Sequence, residues 1–268
     1  MKSHFMRKEK KYIITEDQST SLRKSIIDNI GLDEYHQKDA LIDIRNSYLE
    51  SDTYCIYTLR KQKKRKRFKI RFREYGKDGV YDSSVWIELK EKREGMGYKN
   101  RFILEKEYIE DLLRGRDMYR KILVHNKEAN SCYLKDVYTT VRELIEKNEL
   151  YPRILVQYQR EAFQDGMTGN LRVTFDNTLS VGELSKDSEL FTEQKNLHRF
   201  PRDLRVMEIK ALTKYPGWLR KALDTNHIRP VTFSKFMFAI ETLFKPELIE
   251  MEVCRVSDFN PIVVPESV

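Results

Sequence analysis

The stretch Lys69-Ile-Arg71-Phe-Arg73 decides the fold, because its cationic and apolar residues alternate strictly. Side chains of a β-strand point to opposite faces with a period of two residues. As a strand, this stretch places Lys69, Arg71 and Arg73 on one face of a sheet, and Ile70 and Phe72 on the other. The apolar face is suited to packing on helices, so the stretch predicts a sheet with one apolar and one cationic face.

The same two-residue spacing recurs in four further segments. They are Glu88-Leu-Lys90, Tyr158-Gln-Arg160, Arg172-Val-Thr-Phe-Asp176 and Glu208-Ile-Lys210. If all of these strands join one sheet, their polar residues collect on one face, where cations outnumber carboxylates. We call it the basic face. A concentration of cations beside a carboxylate that can hold a metal ion is suited to a polyanion.

Each segment by itself also fits an ordinary solvated surface, because antiparallel sheets commonly bury one face and wet the other. Two features of the whole set favour an enclosed basic face. A flat solvated face with so few acids would repel itself, and the apolar positions are strong enough to pack on helices. The sequence therefore predicts an α+β fold, an antiparallel β-barrel tunnel with a polar interior and helices packed outside.

The composition bounds the function. The 268 residues carry a formal net charge of +8, which indicates an acidic partner such as nucleic acid, a membrane surface or a phosphorylated small molecule. No repeat or Pro/Gly-rich linker divides the chain, so we expect one domain over residues 1–259 and a loose tail at 260–268. The sequence has no long apolar run and no apolar signal core, which favours a cytoplasmic protein.

Local patterns predict individual elements. Thr15 and Gln18 have the spacing of a capping box at a helix start. Helical apolar spacing predicts helices over 134–148 and about 233–243, and Tyr54–Leu59 is interpreted as a strand.

Glu208 is the most informative acid. Divalent ions such as Mg²⁺ bind through carboxylate oxygens together with substrate phosphates, so a Glu among phosphate-binding cations is a candidate metal ligand. A Glu two residues from a Lys is also a common surface pair of small energetic value. Glu9 and Glu88 are weaker candidates for the same role.

Taken in order, these motifs resemble the polyphosphate polymerase (VTC, vacuolar transporter chaperone) domain family of the triphosphate tunnel metalloenzyme, or CYTH-like, superfamily. The resemblance runs from about Arg7 to Ile240. The motifs that carry it are Arg7-Lys-Glu9-Lys-Lys11-Tyr12, Lys69-Ile-Arg71-Phe-Arg73, Glu88-Leu-Lys90 through Tyr98-Lys99-Asn-Arg101, Tyr158-Gln-Arg160-Glu-Ala-Phe163, Leu171-Arg172-Val-Thr-Phe-Asp176, Met207-Glu208-Ile-Lys210, Pro216-Gly-Trp218-Leu219 and Phe233-Ser-Lys235-Phe236.

The resemblance implies a basic tunnel that holds the triphosphate of ATP and a growing phosphate chain. The phosphate-binding residues that it implies are Lys11, Lys69, Arg71, Arg73, Lys90, Lys99, Arg101, Arg160, Arg172, Lys210 and Lys235. Arg71, Arg73, Lys210 and Glu208 would form the catalytic set, with Mn²⁺ or Mg²⁺ bound by Glu208. The implied activity transfers the γ-phosphate of ATP to polyphosphate. The implied partners are ATP, polyphosphate or pyrophosphate, with a separate membrane protein as a further candidate and no nucleic acid.

Two other functions stay open. An inorganic or nucleoside triphosphatase of the same fold would use water as the nucleophile. Such relatives usually carry paired glutamates ahead of a lysine on the first strand, whereas Glu9 is followed here by Lys10 and Lys11. A non-catalytic polyphosphate- or nucleic-acid-binding module would bind in a salt-sensitive way without a metal. The presence of Glu208 among the cations argues against it.

Overall fold

The computed structural model describes residues 8–30, 41–166, 168–186, 190–191 and 197–244. Its strands are β1 (Lys8–Thr15), β2 (Ile42–Glu50), β3 (Arg67–Lys77), β4 (Val80–Tyr81), β5 (Ser84–Arg93), β6 (Met96–Glu105), β7 (Tyr151–Gln164), β8 (Leu171–Glu183), β9 (His198–Arg199) and β10 (Leu204–Ala211). Its helices are α1 (Glu16–Ile30), α2 (Cys55–Lys61), α3 (Ile109–Leu113), α4 (Tyr119–His125), α5 (Ser131–Lys147), α6 (Gly217–Thr225) and α7 (Lys235–Phe244). Arg7 and the predicted tail at 260–268 lie outside the described residues, and the domain boundaries stay a prediction.

The strands form one antiparallel sheet in the order β1-β10-β8-β7-β2-β3-β5-β6. Two short strands extend it, since β4 pairs with β3 and β9 pairs with β8. This confirms the predicted α+β class and the antiparallel sheet. All of the segments with the two-residue spacing are strands of this sheet.

The predicted closed barrel is wrong, because within the described ranges β1 and β6 end the strand order without pairing with each other. Other segments cover both free edges. The Val231 N–H donates to the Lys11 carbonyl oxygen (2.8 Å) on β1. On β6, the Asn126 side chain accepts from the Ile103 N–H (3.0 Å) and donates to the Ile103 carbonyl oxygen (2.9 Å). Since these contacts already satisfy backbone groups on both edges, the fold does not need strand-to-strand closure.

Helices cover the apolar face of the sheet, as predicted. Leu22 of α1 and Leu219 of α6 belong to one buried cluster with residues of β1, β8 and β10. Helices α3, α4 and α5 bury a second cluster against β3, β5 and β6, in which Ile70 and Phe72 are fully buried. The alternation of faces expected for Lys69 to Arg73 is therefore confirmed. None of the helices that the structure describes is long and apolar enough to cross a bilayer.

Helix α7 contacts side chains of the basic face. Its first residue, Lys235, forms an ion pair with Asp176 of β8 at 2.5 Å. The ring of Phe236 packs on the ring of Tyr48 of β2, with centroids 5.4 Å apart. Phe236 and Ile240 are buried. Helix α7 thus packs against the basic face of the sheet.

The segment Tyr54–Leu59, predicted to be a strand, lies mostly in α2. Its residues favour strands by propensity, but the buried carboxylate of Glu50 lies beneath the first helical turn. That carboxylate accepts hydrogen bonds from the N–H groups of Ile56 (2.9 Å) and Tyr57 (2.8 Å). Burial raises the pKa of Glu50 to about 7 although these bonds oppose the shift. A cap supplied by the last residue of the preceding strand therefore overrides the strand preference of these residues.

The other local predictions hold. The Thr15 N–H donates to Gln18 Oε1 (3.0 Å) and the Gln18 N–H donates to Thr15 Oγ1 (3.3 Å), which is the predicted capping box at the start of α1. Helices α5 and α7 match the predicted helices within a few residues at each end.

Candidate phosphate-binding face

The strand register assembles the predicted site. Directly paired residues of antiparallel strands have their side chains on the same face. The pairs are Lys69 with Lys90, Lys90 with Lys99, Arg71 with Glu88, Glu88 with Arg101, Arg73 with Asn46, Arg160 with Asp176, Arg172 with Lys210 and Lys11 with Glu208. Because β2 and β7 join these groups in register, the predicted strand residues share one face, and Lys235 reaches it from α7.

The sheet curls enough to bring its distant strands together around this face. A cavity of about 220 Å³ is lined by Lys11 of β1, Lys69 of β3 and Lys90 of β5, together with Phe236 of α7. Strands β1 and β5 are far apart in the strand order. The basic face is therefore concave, and cations from both ends of the sheet face the same space.

Arg71 is held by one buried acid and one phenol. Its guanidinium donates to Glu88 Oε2 (2.5 Å) and to the Tyr48 hydroxyl (3.1 Å), and Lys99 also pairs with Glu88. Burial alone would raise the pKa of Glu88, but the charges of Arg71, Arg73 and Lys99 hold it below its usual range. Glu88 therefore anchors cations, and its carboxylate is already engaged, which weakens it as a metal ligand.

Arg73 is positioned by neutral groups instead. Its Nε donates to Asn46 Oδ1 (2.8 Å), and its two terminal nitrogens donate to the hydroxyls of Tyr158 (3.1 Å) and Tyr75 (3.4 Å). None of the carboxylates in the described ranges forms an ion pair with it. An arginine has five N–H donors, so Arg73 keeps donors and its whole charge for a ligand.

The neighbouring lysines show how positive this region is. Burial lowers the pKa of Lys69 to about 8, and the charges of Arg71 and Lys11 add to the shift. The charge of Arg71 and burial lower the pKa of Lys90 well below its usual range. Neither lysine has an acidic partner among the described residues. An anion that neutralises this cluster would be stabilised by all of these charges at once.

On β7 and β8 the cations are paired. Asp176 is buried and accepts from Arg160 Nε (2.6 Å) and Nη2 (2.8 Å), in addition to its ion pair with Lys235. Burial alone would raise the pKa of Asp176, but the charges of Lys235 and Arg160 hold it below its usual range. The bidentate contact fixes the plane of the Arg160 guanidinium and leaves its remaining donors for a ligand.

Glu208 lies in a similar setting on β10. Its Oε1 is 2.9 Å from Lys210 Nζ, and Glu9 of β1 contacts the same amine at 3.5 Å. Burial alone would raise the pKa of Glu208, but the charges of Lys210, Lys11 and Arg160 lower it to about 2. The carboxylate is therefore ionised at neutral pH and has a second carboxylate close by.

The carboxylates of the basic face could bind a metal ion only together with phosphate. The described residues contain no group of three or more His, Cys, Asp or Glu side chains that could hold an ion by themselves. Mg²⁺ commonly binds through one or two carboxylates, with phosphates and water completing the shell. Glu208, with Glu9 nearby, fits that mode when a phosphate ligand is present.

Two predicted residues lie on the rim of the face. Lys99 is exposed apart from its contact with Glu88, and Arg101 is exposed and stacks on the ring of Trp86 at 4.1 Å. Both belong to β6, the edge strand of the sheet, so they would meet a ligand at its entrance. Arg172 of β8 is paired with Lys210 of β10.

Several residues of the site were not predicted from the sequence. Asn46 and Tyr48 of β2 orient the two central arginines, and Asp176 orients Arg160. Asn46 and Tyr48 have the same two-residue spacing that identified the other strands, so this signal was present. Their importance depends on the neighbours that the register gives them, which spacing alone does not reveal.

Comparisons with known proteins agree with the motifs. The model of the VTC domain family matches residues 6–244. The chain is 25% identical over 226 residues to vacuolar transporter chaperone complex subunit 4 of Trypanosoma brucei brucei, covering 75% of this chain and 28% of that protein. It is 23% identical over 224 residues to subunit 2 of the same-named complex of Schizosaccharomyces pombe, covering 74% of this chain and 30% of that protein. The chain thus spans about three-tenths of the length of these relatives.

Solved structures with some likeness include a crystal structure described as a putative adenylate cyclase from Bacillus halodurans, with 15% identity and a TM-score of 0.46 over 89% of this chain and 97% of that chain. A protein of Pyrococcus horikoshii OT3 has 13% identity and a TM-score of 0.44 over 90% of this chain and 99% of that chain. The family assignment rests on the family model, which covers every residue of the basic face. The chain belongs to the VTC domain family.

Proposed function

We propose that this chain is a polyphosphate polymerase that transfers the γ-phosphate of ATP to the end of a growing inorganic polyphosphate chain. One observation carries the proposal: the concave face holds the buried Arg73 and the half-buried Lys69 and Lys90, none of which has an acidic partner among the described residues, and the pKa of Lys69 is lowered to about 8. Such a cluster is unfavourable when empty and favourable when it surrounds several phosphates. Membership of the VTC domain family supports the same substrate class.

The cations of β3 and β5 and those of β7 and β10 have different surroundings, which suggests a different role for each set. Lys69, Lys90, Arg71 and Arg73 would neutralise the phosphate groups that do not react. Arg160, fixed by Asp176, and Lys210 would contact the transferred group from the other side. Arginine suits this task because its planar fork binds two phosphate oxygens and stays charged when buried.

The proposed reaction needs no protein nucleophile. A terminal oxygen of the polyphosphate chain attacks the γ-phosphorus of ATP and forms a new P–O–P bond. The bond between the γ-phosphorus and the β,γ-bridging oxygen breaks, and ADP leaves with its electron pair. Phosphoryl transfer depends mainly on positioning and on stabilisation of charge on the equatorial oxygens, which preorganised guanidinium and ammonium groups provide.

The acids support this proposal. Glu208, ionised and close to Glu9, would hold Mn²⁺ or Mg²⁺ together with phosphate oxygens. When bound, such an ion would neutralise charge on the phosphates and help to align them. Glu208 also positions Lys210 through their 2.9 Å ion pair.

The proposed function also implies specific ligands, partner chains and a place in the cell. ATP and polyphosphate or pyrophosphate are the proposed ligands, and the cytoplasm is the proposed site of action. Both curated relatives are named as subunits of a complex. We therefore propose that further chains, including a membrane protein, receive the product.

The decisive experiment incubates the purified chain with ATP and Mn²⁺ and separates the products on a gel stained for polyphosphate, while ADP and free phosphate are measured in the same tube. A metal-dependent polyphosphate ladder with ADP and little free phosphate is expected. Free phosphate without a ladder would replace the polymerase with a triphosphatase. Binding of polyphosphate without either product would replace it with a binding module.

A further inference from the structure

A second, larger cavity lies on the opposite face of the sheet. Its volume is about 680 Å³, and its lining includes Arg45 of β2, Gln157 and Gln159 of β7 and Asn177 of β8. These residues alternate along their strands with residues of the basic face, such as Tyr158, which contacts Arg73. The side chains of the cavity and of the basic face thus point to opposite sides of the same strands, and Tyr158 borders both spaces.

Arginines are the most frequent charged residues in the described lining of this cavity. Arg45, Arg199, Arg202 and Arg205 line it, and Asp43 is the one carboxylate among the lining residues that the structure describes. The two oxygens of Asp43 already accept from Gln159 Nε2 (3.1 Å) and from the Gly79 N–H (3.0 Å). The acid therefore helps to form the floor and does not neutralise the arginines directly.

The arginines fall into two kinds. Arg45 lies over the ring of Tyr81 at 3.9 Å and pairs with Glu74 at 3.6 Å, and Arg205 pairs with Glu16 at 2.7 Å, so both are fixed in position by an acidic partner. Arg199 and Arg202 are exposed, and neither side chain has a hydrogen bond or ion pair with any residue that the structure describes. Two fixed and two unengaged guanidinium groups thus face one concave space.

The lining of the cavity also contains a buried polar atom without a hydrogen-bond partner among the described residues. Asn177 Oδ1 is buried and has no hydrogen-bond partner in the described part of the chain. A buried acceptor without a donor costs free energy unless a ligand or a water molecule donates to it. Asn177 belongs to the lining of the same cavity, and its unsatisfied oxygen is an observation independent of the arginines.

We propose that this cavity is a second anion site, which binds a small molecule carrying more than one phosphate group. Its volume suits a small molecule rather than a polymer, since ligand pockets commonly enclose about 300–1,000 Å³. Several arginines around one space favour phosphates, because each guanidinium can contact two phosphate oxygens. This site is distinct from the basic face and does not depend on the proposed polymerase activity.

Isothermal titration with inorganic pyrophosphate tests the proposal at fixed ionic strength. The wild-type chain is expected to bind two pyrophosphates, one on each face. The double variant Arg199→Ala/Arg202→Ala should bind pyrophosphate normally on the basic face. Its affinity at the cavity should fall at least about tenfold, because hydrogen bonds to charged groups contribute about 1.5–3 kcal/mol. Its fold should be unchanged, since both side chains are exposed and unengaged. Lys69→Met/Lys90→Met should remove the site on the basic face instead.

A matched control removes two exposed cations elsewhere. Arg120→Ala/Lys127→Ala, on α4 and the turn after it, should keep both sites although it loses the same charge. Citrate, an anion without phosphate, should not bind the cavity at comparable affinity.

The outcomes separate this proposal from the proposed function. Two intact sites in Arg199→Ala/Arg202→Ala, or equal binding of citrate, would overturn the phosphate site. If the wild-type chain binds one pyrophosphate, and only Lys69→Met/Lys90→Met removes that binding, the cavity proposal is overturned. Phosphate binding on the basic face is then supported. A single site that only the arginine variant removes would support the cavity and contradict phosphate binding on the basic face.

Discussion

On β3 and β5 the cations of the basic face outnumber the acids, whereas on β8 and β10 each acid is matched to a cation. We call the first region, around Lys69, Arg73 and Lys90, the unpaired half; Arg71 lies in the same region and is its one cation with a buried acidic partner, Glu88. The second region, around Arg160, Asp176, Glu208 and Lys210, is the paired half. In the unpaired half the pKa of Lys69 falls to about 8, while in the paired half the pKa of Glu208 falls to about 2.

The two halves share a strand geometry and differ only in where the acids lie. Unmatched cations create a strong positive potential, which is suited to binding the charge of a phosphate chain. Matched ion pairs hold side chains in fixed directions, which is suited to alignment of a reacting group and of a metal ion. The contrast therefore suggests that one half binds the polyanion and the other organises the transfer.

The largest expected effect comes from Arg71→Ala. Its loss leaves Glu88 buried with only Lys99 as a partner, and breaking a buried ion pair costs about 3–5 kcal/mol. We expect polymerase activity to disappear and the free energy of unfolding, measured in urea, to fall by about that amount. In Arg71→Ala/Glu88→Gln the stability should recover while activity stays absent. Equal stability of Arg71→Ala and wild type would show that Glu88 does not depend on this arginine.

Glu208→Gln tests the paired half. The change keeps the shape of the side chain and removes its charge, so the fold should persist and metal-dependent turnover should be lost. Pyrophosphate binding without metal should be unchanged or slightly tighter, because one negative charge is removed. Gel assays and calorimetry measure the two properties separately. Wild-type turnover in this variant would remove Glu208 from the catalytic set.

Arg73→Ala should reduce turnover by about 10²–10³-fold, the usual effect of losing one preorganised donor to transition-state charge. Its stability loss should be smaller than that of Arg71→Ala, because its partners Asn46, Tyr75 and Tyr158 are neutral. The comparison of urea midpoints for the two variants checks this order. A larger stability loss in Arg73→Ala would contradict the distinction between the two arginines.

The smallest effect is a dependence on pH. A lysine whose pKa is lowered by folding destabilises the folded state below about pH 8, and this cost fades as pH rises toward its unfolded value. A bound phosphate raises that pKa again, so binding near pH 8.5 should take up protons and weaken by up to about tenfold per pH unit. Calorimetry in two buffers of different ionisation enthalpy measures the uptake. It should shrink in Lys69→Met, and unchanged uptake there would assign the proton to another group.

A second group titrates in the same region. Burial alone would raise the pKa of Tyr48, but the charges of Arg71, Lys69 and Arg73 lower it to about 7. Its ionisation above that pH adds a negative charge, which also weakens anion binding as pH rises. Tyr48→Phe in the Lys69→Met background should therefore reduce the remaining dependence, and the part that persists is assigned to Lys90.

Much of the site was accessible from alternation alone. The two-residue spacing of Lys69, Arg71 and Arg73 predicted their shared face, because strand geometry is local. The closed barrel was a wrong extrapolation, since the chain covers its sheet edges with Val231 and Asn126 instead. The helix over Tyr54–Leu59 was missed because its cap, Glu50, lies at the end of the preceding strand and not at the position directly before the helix.

The sequence by itself determined which residues are strand-forming, which face each charge occupies and which family the motifs resemble. Only the tertiary structure decided which cations are paired and which are not. Asp176 meets Arg160 and Lys235, whereas no described carboxylate reaches Lys69 or Lys90. The physical reason is that alternation depends on the geometry of a single strand, whereas ion pairing depends on strand register and on the position of α7, which bring together residues far apart in the chain.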